Sequence, residues 1–124
     1  MLFQSKKTMK KILADRGYNH CTNDEEFSRH GDYTRNIQYA FSKEHSGQGQ
    51  KVVDIIFLSA DMYNERVVIG FFRENVSIEN GVLANQDASI PLSKFTLEEF
   101  EKQIDRLIPK GSPVPHRHDM STSF

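Results

Sequence analysis

Two neighbouring stretches decide the fold: Lys51–Ala60, KVVDIIFLSA, and Arg66–Arg73, RVVIGFFR. Both are rich in β-branched and aromatic residues, which suit a pleated strand. Strand side chains alternate between faces. In the first stretch Val53, Ile55 and Phe57 oppose Val52, Ile56, Leu58 and Ala60. In the second, Val67, Ile69 and Phe71 oppose Val68 and Phe72. Strands apolar on both faces belong in the middle of a sheet. Gly70 marks a bulge or a close backbone approach. Asp61–Glu65 is the turn between the two strands.

Outward on the N-terminal side, Tyr33–Ser42 alternates cleanly. Tyr33, Arg35, Ile37, Tyr39 and Phe41 point one way, and polar or small residues point the other. That pattern predicts a half-buried strand toward the sheet edge. Glu44–Gln50, EHSGQGQ, is expected to be a flexible connection. Residues 18–32 are polar and rich in turn formers, with Phe27 as the buried candidate and a short strand over Glu26–His30. A first helix is expected from Ser5 to Arg16, with Met9, Ile12 and Leu13 on one side and Gly17 as left-handed cap.

Outward on the C-terminal side, Asn80-Gly81 is the dipeptide favoured in type I′ turns. A tight hairpin is therefore expected between Val76–Glu79 and Val82–Asn85. Ile90-Pro91-Leu92 should be extended, because proline pushes its predecessor out of the helical region. The last helix carries the strongest signals. Thr96 and Glu99 form a capping box, and Phe95 and Phe100 occupy the staple positions. Leu97, Phe100, Ile104, Leu107 and Ile108 fill one face, and Pro109 and Gly111 end the helix.

The expected fold class is α+β: an antiparallel sheet of about five strands with an N-terminal and a C-terminal helix packed on it. With 124 residues, 37% hydrophobic and 27% charged, the chain has the make-up of one globular domain. That domain should occupy residues 1–110, with residues 1–8 a candidate leader because Met9 is a second plausible start. Residues 111–124, GSPVPHRHDMSTSF, read as a disordered tail. The net charge of −1 argues against nucleic-acid binding, despite Lys6, Lys7, Lys10, Lys11 and Arg16 near one another. Cys21 is the single cysteine, which suits a reducing, cytoplasmic setting. No apolar run reaches the ~20 residues of a membrane span.

Asp54 interrupts an apolar strand, where a carboxylate is costly unless paired or protonated. One reading is a general acid or ligand anchor; the favoured one is a structural pair with Arg35, Arg66 or Arg73. Tyr33, Tyr39 and Phe41 with Arg35 resemble a stacking platform, although helix packing produces the same alternation. The candidate binding residues are thus Asp54, Arg35, Tyr33, Tyr39 and Arg73. His20, Cys21, Asp24, Glu25, Glu26 and His30 crowd one segment without recognised metal-ligand spacing. A Cys21 nucleophile would sit after a helix C-terminus, whose dipole disfavours a thiolate. His116 and His118 lie in the tail, and Gly47 and Gly49 lack a phosphate-loop lysine. No catalytic residue, metal site or cofactor is assigned, and the balance is against an enzyme.

Two helices with narrow stripes face two strands apolar on both sides. The helices could split between the faces, a second chain could cover one face, or the sheet could curl round a cavity. A bare face of this kind exceeds what monomers usually expose. The leading expectation is a homodimer through an apolar sheet face. The functional expectation is a small binding protein (inhibitor, immunity-type or adaptor) using a sheet face or edge. The alternative is a small-molecule-binding or enzymatic domain with a pocket near Asp54.

Overall fold

A computed structural model of the chain describes residues 6–21, 39–61 and 63–110. The expected strand over Glu26–His30, the N-terminal part of the strand over Tyr33–Ser42, and the tail lie outside the described residues.

The elements run α1 (Lys6–Asp15), β1 (His20–Cys21), β2 (Tyr39–Gly47), β3 (Gln50–Asp61), β4 (Arg66–Asn75), β5 (Val82–Pro91) and α2 (Leu97–Leu107), with a short 3-10 turn at Leu92–Lys94. The strands form one five-stranded antiparallel sheet in sequence order, β1-β2-β3-β4-β5. The α+β architecture expected from the sequence is therefore the one observed.

α1 ends as Gly17 suggests. Gly17 takes φ 92°, its amide bonds the Ala14 carbonyl at 2.9 Å, and the Tyr18 amide bonds the Leu13 carbonyl at 2.9 Å. This pair of bonds is a Schellman motif. It turns Tyr18 back into the core, where it is buried with Leu13. At the other end of the domain, Thr96 Oγ1 accepts from the Glu99 amide at 3.0 Å, a cap worth about 1 kcal/mol. Phe95 and Phe100 meet with ring centroids 6.1 Å apart, completing the staple. The Glu99 carboxylate accepts instead from Gln103 Nε2, at 2.9 Å.

Two turns differ from the sequence expectation. The stretch Glu44–Gln50 is strand and tight turn rather than a flexible connection. Gly47 pairs with Gln50, and Gln48 and Gly49 both have positive φ, 55° and 74°. Those signs are what a type I′ turn needs; Gly49 takes them freely and Gln48 accepts a modest strain. At Asn80-Gly81, only Asn80 has the positive φ, 55°. β4 instead runs on to Asn75, and a wider turn over residues 76–81 is closed by the Asn75 amide on the Gly81 carbonyl at 2.7 Å. Glycine is required at 81 for a different reason: a Cβ there would collide with the Asn75 carbonyl oxygen.

Both helices pack on one face of the sheet. Met9, Ile12 and Leu13 of α1, and Phe100, Ile104 and Leu107 of α2, join one buried cluster with Tyr39, Phe41, Ile56, Leu58, Ile69 and Phe71. Arg16 links the helices, donating to Asp105 at 2.6 and 2.9 Å and to Glu101 at 2.8 Å. The opposite face carries Val53, Ile55 and Phe57 of β3 with Val68, Gly70 and Phe72 of β4, all half-buried. Among the described residues, no helix long and apolar enough to cross a membrane is present.

Candidate functional site

The buried charges sit at one end of the helix-covered face. The antiparallel register places Asp54 of β3 between Lys43 of β2 and Arg73 of β4. Asp54 is 1% exposed and Arg73 is 8% exposed. Arg73 Nε donates to Asp54 Oδ1 at 2.7 Å, and a second guanidinium nitrogen donates to Oδ2 at 2.8 Å. This is the two-pronged geometry in which arginine binds a carboxylate most strongly. His45 Nε2 lies 2.8 Å from Oδ2, and the Tyr18 hydroxyl donates to the same oxygen at a long 3.4 Å.

Three segments thus converge on a carboxylate carried by a fourth. Tyr18 arrives from the cap of α1, His45 from β2, Asp54 from β3 and Arg73 from β4. Lys43, one strand over, donates to the Arg16 carbonyl at the end of α1 and lies 5.9 Å from the Tyr18 ring centroid. Arg73 also lies 5.5 Å from the ring centroid of Phe71. Burial pushes the Asp54 carboxyl up, but the hydrogen bonds and charge of Arg73 and His45 outweigh it and hold it below the usual carboxylate range. Burial, then the neighbouring Asp54 charge, raises Tyr18 well above an ordinary phenol. No buried side-chain nitrogen or oxygen among the described residues lacks a partner.

Chemically, this arrangement ties strands and helix together. Both Asp54 oxygens are engaged, and a general base needs an oxygen aimed at a substrate proton. Of the five binding candidates, the structure brings Asp54 and Arg73 together. It buries Tyr39 in the core at 2% exposure. Tyr33 and Arg35 lie outside the described residues. The partners that sequence reasoning missed are His45 and Tyr18. Extending the period-two pattern past Ser42 places His45 on the Phe41 face. Tyr18 is signalled by its place one residue after a Gly cap, where an apolar contact usually falls.

Two open depressions lie elsewhere. One, of about 420 Å³, is flanked by Lys10, Lys11, Tyr18, His20, Cys21 and Phe41. The other, of about 270 Å³, lies on the sheet face opposite the two helices, with Gly70 among Phe57, Val68, Phe72 and Asp87. Asp54 belongs to neither wall. No group of three or more metal-ligating side chains occurs among the described residues; Asp24, Glu25, Glu26 and His30 lie outside them. Comparison with models of known families, with characterised proteins and with solved structures finds no match.

Proposed function

We propose that the protein is a non-enzymatic binding module, of the inhibitor, immunity or adaptor kind, that holds a protein on the sheet face opposite its two helices. One observation carries the reading. Both helices are spent on the Ile56–Phe71 face, while Val53, Ile55, Phe57, Val68 and Phe72 turn the other way. Contiguous apolar faces mark interaction sites more often than they stay bare. The saturated Asp54 carboxylate supports the same reading, because it favours a structural role over chemistry at that position. A cytoplasmic setting is part of the proposal, resting on the single cysteine. A second copy of the chain is the competing occupant of the face.

The test compares the full chain with Phe72→Asp on that face and with Lys102→Glu on the exposed side of α2. A stoichiometric protein captured by the parent and by Lys102→Glu, and lost with Phe72→Asp, is the expected result. Equal capture by all three would sink the proposal. Light scattering at micromolar concentration separates a partner from self-association.

A further inference from the structure

We infer that the sheet face opposite the two helices receives one amphipathic α-helix of a partner protein, with basic residues along the flank that meets β5; this rests on the binding reading above. The first support is width. Alongside Val68–Phe72, the large apolar side chains on this face lie on β3 and β4. The outward residues of β2 are Ala40, Ser42, Glu44 and Ser46, and those of β5 beside Val68–Phe72 are Asn85, Asp87 and Ser89. Two strands about 4.8 Å apart, with their side-chain flanks, make a stripe about 10 Å wide. That is the diameter of a single helix. A second copy of the sheet would instead press the polar borders of β2 and β5 against one another.

The second support is length and relief. Val53 to Phe57 spans about 13 Å, enough for two to three helical turns. Gly70 pairs with Phe57 across the strands and keeps a hollow open in the stripe. A Cβ at Gly70 would come 3.4 Å from Asp87 Oδ1 and 3.7 Å from Phe57 Cβ. The hollow of about 270 Å³ is sized for one large side chain projecting from a helix.

The third support is charge. Glu74 and Asp87 flank Phe72 on the β4–β5 side, Glu74 two residues along and Asp87 opposite Gly70. Neither carboxylate has an ion-pair partner among the described residues. Among the described residues, the bases of the same face are turned elsewhere: Lys51 pairs with Glu44 at 3.1 Å, and Arg66 Nε donates to the Ser89 hydroxyl at 3.0 Å. A lysine or arginine on the incoming helix can lay its stem over Phe72 and its charge beside Asp87. The apolar surface also continues past Glu74 to Val82 and Leu83, which are 54% and 52% exposed at the start of β5.

The test uses two labelled synthetic helices about five turns long with the same leucine stripe, one with lysine flanks and one with glutamate flanks. Binding to the full chain is read by fluorescence anisotropy. The lysine helix should bind about tenfold more tightly, and Asp87→Lys should reverse the order. Gly70→Leu, which fills the hollow, should weaken both. Asp87 is exposed, so Asp87→Lys should keep the parent circular dichroism and melting temperature. Equal binding of both helices, unchanged by Asp87→Lys, overturns the basic-helix inference. The binding reading survives that result if Phe72→Asp still abolishes capture of a partner. A dimer broken by Phe72→Asp assigns the face to a second copy and overturns the inference. So does a photo-crosslinker at position 57 that joins the chain only to itself.

Discussion

Removing one partner of the buried pair should be far costlier than its single hydrogen-bonding group suggests. In Arg73→Met the carboxylate of Asp54, 1% exposed, loses both of its guanidinium bonds and the charge that came with them. An exposed ion pair would contribute at most about 1 kcal/mol. Breaking a buried pair costs about 3–5 kcal/mol, because the remaining charge stays in a poorly polarisable site. His45 remains beside Oδ2 and its side chain is 13% exposed, so some compensation is available and the expected loss is about 3 kcal/mol. That is a large share of a typical domain stability of about 5–15 kcal/mol. Urea unfolding at pH 7, followed by far-ultraviolet circular dichroism because the chain has no Trp, measures it. Asp54→Leu combined with Arg73→Met should cost less than Arg73→Met alone. It strands no charge; the Tyr18 hydroxyl loses a bond that was already 3.4 Å, and His45 can reach water. A loss under about 1 kcal/mol in Arg73→Met, or a double variant weaker than the single, would refute the reasoning.

Acid should act through the same site. Asp54 titrates lower in the folded chain than the usual value of about 3.9, so its contribution is present above that pH and is lost as pH falls through the folded value. The urea midpoint of Asp54→Asn should therefore fall less steeply than that of the parent from about pH 5 downward; parallel curves would contradict this. Tyr18 behaves in the opposite sense. Its raised folded value gives a contribution present below about pH 10 that is lost on further alkalinisation, so Tyr18→Phe should flatten the alkaline limb. Gly81→Ala should destabilise by about 2 kcal/mol, since the added methyl must displace the Asn75 carbonyl. Faster amide exchange at Asn75, whose amide bonds Gly81, would locate the damage.

The elements legible in the sequence were those with redundant local signals. α2 announced itself by cap, staple and stripe together, and Thr96 and Phe95 behave as read. β3 and β4 were legible because both faces are apolar. The β2–β3 hairpin was hidden because its turn opens with Gln48, a residue that seldom takes positive φ, while Asn80-Gly81 offered a better-known signature in the wrong geometry. β5 was read as two fragments because Asn85, Gln86 and Asp87 give it little apolar alternation; it holds its place by pairing with β4. Of the buried site, Asp54 stood out as a charge in an apolar run, with Arg73 among its possible partners. His45 is obscured because the polar stretch Glu44–Gln50 around it has the composition of a loop. Register, which sets Arg73 opposite Asp54, emerges only when strands pair.

The next-neighbour strand order also bears on how the chain assembles. Each strand pair from β2 to β5 is joined by a short turn, whereas Arg16 meets Glu101 and Asp105 across 85 and 89 positions of sequence. Closing a loop of that length costs about 3 kcal/mol more than closing a tight hairpin. The hairpins can zip up early, and the two helices clasp each other late. During that interval β3 and β4 show water their apolar residues on both sides at once. Refolding should therefore lose yield steeply as protein concentration rises, even where the finished domain is well behaved.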